Sequence, residues 1–300
     1  ASLTTAQVVA LTTGQVVALT AAQVVALTTA QAGALATSQI AALTTVQAVA
    51  LLTTDLQALT TAQIVVFRTD DIQAFSVSQV ASLLTSQLAA LVTGQIAALS
   101  VSQVAGLTSL QAPVLTTDQL RALSTVQIAA IETRDLAVFT TRQAASLTTV
   151  QFQALGAMHI AALTTELAAA LNTAQISVLT TIQARALETA DLMALTTAQI
   201  RVLGTDALQA LYNSQIQSLT TAQFVQLTTG QVAALLASQV AALTTLEVAA
   251  MTTAQLVVLN TSQISAVSLS GIESLSTSQV ASITTAQVAG LFPSQIAVLT

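Results

Sequence analysis

Cysteine, lysine and tryptophan are missing from this chain, and histidine and tyrosine occur once each. Without cysteine there is no disulfide framework and no thiolate-ligated metal site. With one histidine and no thiol, a His-dependent nucleophilic centre has almost nothing to be built from. Charge is scarce as well: 6% of residues are charged, against about 25% in an average soluble domain. Six Arg and twelve acids leave a formal charge of −6, which repels nucleic acid and offers no basic stripe for phosphates. Long apolar runs are also lacking. The mean hydropathy of +0.79 would suit a membrane protein, but Thr and Gln interrupt every stretch well short of the about 18 to 20 residues that a spanning helix needs. With 54% apolar residues the composition does not fit disorder either.

What is present is one unit, repeated. From Leu3, steps of eight residues reach Leu11, Leu19, Leu27 and onward to Leu299 without a shift of frame. All 38 of these positions are apolar, and 31 are Leu. The octad is Leu-Thr-Thr-x-Gln-(Val/Ile)-x-Ala, and its positions are called slots 1 to 8 from the Leu. Slot 5 is Gln in 28 of 37 octads and acidic in five: Asp55, Asp71, Asp135, Asp191 and Glu247. No linker breaks the frame, so residues 1–300 are expected to form a single octapeptide-repeat solenoid, a segment of a longer array.

Three folds compete for an eight-residue period. In one continuous helix, eight residues overshoot two turns by about 80°, so the Leu stripe would spiral. A coiled coil needs sevens or elevens. A β-solenoid wants apolar residues at alternate positions, and Leu3 and Val8 have opposite parity. It also leans on Gly, Asn or Asp at its turns, and the chain has nine Gly. The third option is one short helix per octad. Thr12 caps the helix and Gln15, three residues on, reaches back to the N–H of Thr12, which is a capping box. Where slot 2 is apolar, as in Leu52-Thr53, the second Thr is expected to take over as cap. Pro293 falls at the first helical residue, its preferred place. Val8 and Leu11 share a face, and the six Phe are assigned to core slots, Phe152 and Phe224 in place of Ile. The fold class predicted is all-α: a solenoid of short capped helices, one per eight-residue repeat, winding around an aliphatic core. A weaker, longer period of seven octads runs from Glu132-Thr-Arg-Asp-Leu to Glu188-Thr-Ala-Asp-Leu; drifted tandem duplication accounts for it, and superhelical turns that come into register are the alternative.

No slot carries a reactive constellation. His159 replaces a Gln in the capping slot and reads as a polar helix start. Asp70 and Asp71 are adjacent but lie in different slots, so they do not form a held carboxylate pair. The acids fall mostly at helix starts, where negative charge is favoured, and calcium loops are absent. The six Arg occupy variable positions and read as solvated. Gly14, Gly94 and Gly230 precede Gln and belong to no phosphate loop. No catalytic, cofactor-binding or metal residue is therefore assigned, and an enzyme is not expected.

Thr13-Gly14-Gln15-Val16-Val17-Ala18-Leu19 and Leu291-Phe292-Pro293-Ser294-Gln295-Ile296-Ala297-Val298-Leu299 resemble the first helix of TAL-effector repeats, Leu-Thr-Pro-x-Gln-Val-Val-Ala-Ile-Ala. That family places a short capped helix on these residues. Its long second helix and base-reading loop have no counterpart here, so its DNA code does not carry over. The uninterrupted array also resembles tracts of very large bacterial surface and secreted repeat proteins, often adhesin-like. The resemblance implies an extracellular or cell-surface structural protein, a fibre, sheath or stalk that associates with itself. With the charge, run lengths and slots described above, no nucleic acid, membrane span or small-molecule substrate is expected. An adhesin stalk or protein-binding scaffold is the alternative. An ice- or surface-binding repeat is a third reading, which would need the Thr residues on one flat face.

Overall fold

The computed structural model describes residues 3–299 and is all-helical. The described residues hold 36 α-helices of four to six residues and one 3-10 segment, with no strand. They fall into two compact units, one ending at Ala154 and one beginning at Leu155. Each unit is a solenoid of octads.

The octad builds its helix in the predicted way. Thr12 sits in extended backbone, φ −70° and ψ 159°, and its hydroxyl accepts from the N–H of Gln15. The Gln15 Oε1 accepts from the N–H of Thr12 at 2.8 Å. Helix Thr13–Val17 follows, and octads leave their helices through slot 1 in extended backbone, as at Leu51 and Leu59. No residue among those described has a positive φ. The corner therefore needs no left-handed glycine, which is why so repetitive a turn exists in a chain this poor in Gly.

The expected shift of the cap to the second Thr does not occur. In the octad of Leu52, the cap is Leu52 itself and the helix runs Thr53–Ala58. Leu84, Val92, Tyr212, Leu236 and Phe292 also cap without a side-chain bond. The reason is that the slot-5 side chain grips the slot-2 backbone N–H, which every residue but proline possesses. Asp55 does so for Leu52 at 3.3 Å. Phe292 is thus a cap residue and 58% exposed, a correction to its core assignment. Pro293 opens helix Pro293–Ala297 as expected. Pro113 falls in slot 7, where it removes a donor, and its octad becomes the 3-10 segment Ala112–Val114.

The short helices are stable only by packing. Slots 6 and 1 point inward: Val16, Ile40, Leu56 and Leu88 are fully buried, with the Leu of slot 1 almost as deep. Phe152 and Phe224 are the largest fully buried side chains. Phe67 and Phe75, in successive slot 1 positions, meet edge to face at 5.4 Å between ring centres. Along the chain a helix packs on the third one after it, as Thr29–Gly33 does on Thr53–Ala58 and Thr181–Ala186 on Thr205–Ala210. Layers lie so close that a methyl added to Gly106 would overlap Val77 Cγ1 on the turn before.

Candidate functional site

The polar residues of the octad converge on one place, the corner, and the slot-5 Gln is its centre. Its Oε1 holds the N–H at the start of its own helix. Its Nε2 does a second task. Gln39 Nε2 donates to the carbonyls of Val8, Val9 and Leu11 at 3.1, 3.2 and 2.8 Å. Gln223 Nε2 donates to those of Leu192, Met193 and Leu195 at 2.8, 3.3 and 2.6 Å. These acceptors are carbonyls at the end of an earlier helix, 28 to 31 residues back; those of Val8 and Leu192 also accept the backbone N–H of Leu11 and Leu195. One amide thus satisfies the start of one helix and the end of another, on the turn below. Such a Gln is almost wholly buried, as at Gln87 and Gln239.

The rung fixes the solenoid's pitch. The side-chain bonds between turns span 25 to 31 residues, so a turn takes between three and four octads.

Slot 7 supplies a second layer of such bonds. Gln57 and Gln209 donate to the carbonyls of Ser82 and Ala234, each 25 residues ahead. Arg121 Nε and Arg185 Nε do the same for Ser146 and Ala210 at 3.0 Å, and Arg185 also lies 5.8 Å from the centre of the Tyr212 ring. These Arg are therefore helix-end caps as well as solvated charge. The octad pattern did not show this, because the partner lies 25 residues away.

The remaining candidate groups take structural positions. His159 accepts the Gly156 N–H on Nδ1 at 3.1 Å, copying Gln. Asp71 is buried and paired with Arg68 at 3.0 Å, while Asp70 beside it is exposed. Gly14 and Gly94 have open space where a side chain would be. Burial pushes the Asp191 and Glu247 carboxyls above the usual carboxylate range, with Glu188 adding to the shift at Asp191. Among the described residues no three His, Cys, Asp or Glu side chains converge. No described helix is long and apolar enough to cross a membrane.

Residues 48–85, 128–165 and 184–221 match the family model of the ALTTAQ repeat. No curated protein matches the chain. The three matched stretches lie in one unbroken octad frame, so the chain is a tandem-repeat tract.

Proposed function

We propose that this tract is a structural element of an extracellular or cell-surface protein, a fibre or stalk segment that associates laterally with copies of itself. Its role is mechanical rather than catalytic. The observation that carries this reading is where the polar chemistry goes. Slot-2 Thr, slot-5 Gln and three of the six Arg are consumed in satisfying helix ends, and what is left to face outward is neutral and partly apolar. Slot 4, the most outward position, holds Leu110 and Leu246 at 77% and 73% exposure, with Met158, Ile182, Val126 and Val150 also open. Apolar side chains on a weakly charged surface favour burial against another surface. An array of like surfaces joined head to side without closure gives filaments. Bacterial origin and an adhesin-like setting follow from the resemblance of the octad and are part of the same proposal.

Negative-stain microscopy and sedimentation across a concentration series test it. Elongated or bundled assemblies that grow with concentration are expected. Dispersed monomers at every concentration would sink the reading.

A further inference from the structure

Four of the five acids in slot 5 leave one buried oxygen without a hydrogen-bond partner: Asp55 Oδ1, Asp135 Oδ2, Asp191 Oδ2 and Glu247 Oε1. The fifth, Asp71, shows what an Asp in this corner takes. Arg68, in slot 2 of the same octad, places Nη2 at 3.0 Å from Asp71 Oδ1, 3.1 Å from the Leu43 carbonyl and 3.4 Å from Thr45 Oγ1. The Thr45 hydroxyl donates to Asp71 Oδ1 at 2.8 Å. Leu43 stands to Asp71 as Leu11 does to Gln39, so its carbonyl is the one that a rung Gln would bind. Asp is one methylene shorter than Gln, by about 1.5 Å, and a cationic nitrogen fills the difference among three oxygens.

At Asp191 the same oxygens recur with the charge in slot 2 reversed. Leu163 and Thr165 hold the octad positions relative to Asp191 that Leu43 and Thr45 hold relative to Asp71. The Thr165 hydroxyl hydrogen-bonds to the Asp191 carboxyl, as does the Glu188 N–H. Slot 2 is Glu188, exposed at the rim, and slot 4 is Ala190. Asp191 itself is 2% exposed. By octad register, the Leu163 carbonyl and the Thr165 hydroxyl correspond to the groups that meet a guanidinium nitrogen in the sister corner, and the Glu188 charge acts on Asp191. This all-oxygen, doubly negative set suits a hard divalent cation, with water on the open side.

We propose that the Glu188–Asp191 corner binds a divalent cation, Ca²⁺ by preference, through Asp191 Oδ2, the Glu188 carboxylate and the Leu163 carbonyl, clamping two turns of the solenoid together. The Glu132–Asp135 corner repeats the arrangement: Leu107 takes the place of Leu163, and Ser109 donates to Asp135 Oδ1 at 2.6 Å. There Arg134 Nε lies 2.7 Å from Glu132 and 3.8 Å from Asp135, so part of the charge is already met and this corner binds more weakly. Composition and motif spacing miss both sites, because half of each donor set lies a full turn away in sequence.

The test is calorimetric titration of the chelator-treated full chain with CaCl₂ at pH 7.5, paired with thermal melts against NaCl of matched ionic strength. Saturable binding is expected, with a dissociation constant of order 10⁻⁴ to 10⁻³ M as in extracellular calcium modules, and a Tm that rises with Ca²⁺ beyond the NaCl control. Asp191→Gln installs the repeat's own rung, keeps the helical circular dichroism and loses the stronger site. Glu188→Gln weakens that site about tenfold or more. A wild type with no saturable heat overturns the proposal, and so does an Asp191→Gln variant that binds Ca²⁺ as the wild type does. A wild type whose Tm responds to pH but not to Ca²⁺, with the response lost in Asp191→Gln, also overturns it, because the corner then takes a proton.

Discussion

Glu247 is as long as the Gln it replaces, so it tests what the rung is worth. Its Oε2 accepts the Thr244 N–H and hydroxyl at 2.7 and 2.8 Å, as a Gln Oε1 does. Its Oε1 stands where a Gln would donate and has no partner. Only a proton fits between two oxygens placed for a hydrogen bond, and burial accordingly raises the Glu247 pKa. Glu273, exposed, is the titratable residue on the packed helix Leu269–Glu273, and Thr221–Val225 brings none. A carboxyl whose pKa is raised by folding contributes stability that is present below the usual carboxylate range and lost as pH rises through the raised value. Glu247→Gln is therefore expected to stabilise the chain at pH 7.5 by about 1–3 kcal/mol, the cost of an unsatisfied buried polar group. The gain should shrink toward zero as the pH falls below the carboxylate range. Urea midpoints of variant and wild type between pH 4 and 8 check both the size and the sign.

At the scale of the element, Thr and Gln divide the corner unequally. The octad made both look like partners in one capping box, and locally they are. The sequence also made the core legible, since Leu and Val/Ile at fixed slots must share a face whatever the turn count. What it hid was the other end of the Gln, because nothing within one octad says how far along the chain the next layer lies. It likewise hid why Leu52 or Tyr212 can cap: the grip is on a backbone N–H, not on a hydroxyl. The acids at slot 5 looked like favourable charge at a helix start, whereas the corner is two-sided and its other side is carbonyl oxygen. A direct consequence separates the two residues. Thr220→Ala removes one cap bond and should cost about 1 kcal/mol. Gln223→Leu strips the side-chain partner from the Thr220 N–H and from the Met193 and Leu195 carbonyls one turn below, leaving Leu192 only its backbone bond to the Leu195 N–H, and should cost at least about twice as much. Thermal melts of the two single variants decide the order; a larger loss for Thr220→Ala would contradict the ladder.

Across the whole molecule, stability is a sum over octads and the bonds between successive turns, and what faces outward decides association. Leu110→Glu with Leu246→Glu puts charge on two strongly exposed slot 4 leucines without touching a rung or the core. The double variant should keep its circular dichroism and Tm within about 0.5 kcal/mol of wild-type stability. It should also shift any self-association seen by sedimentation to several-fold higher concentration. The rung that spans 28 residues has a further consequence under load. A unit pulled from its ends transmits tension through bonds that each join one turn to the next, so turns detach singly, starting from an end. Every rung that breaks frees a 28-residue loop, roughly 90–100 Å of extended chain. In an optical trap the extension trace of this protein should be a staircase of such steps, and a tether made of it would yield and recoil like a spring where a single cooperative domain would snap.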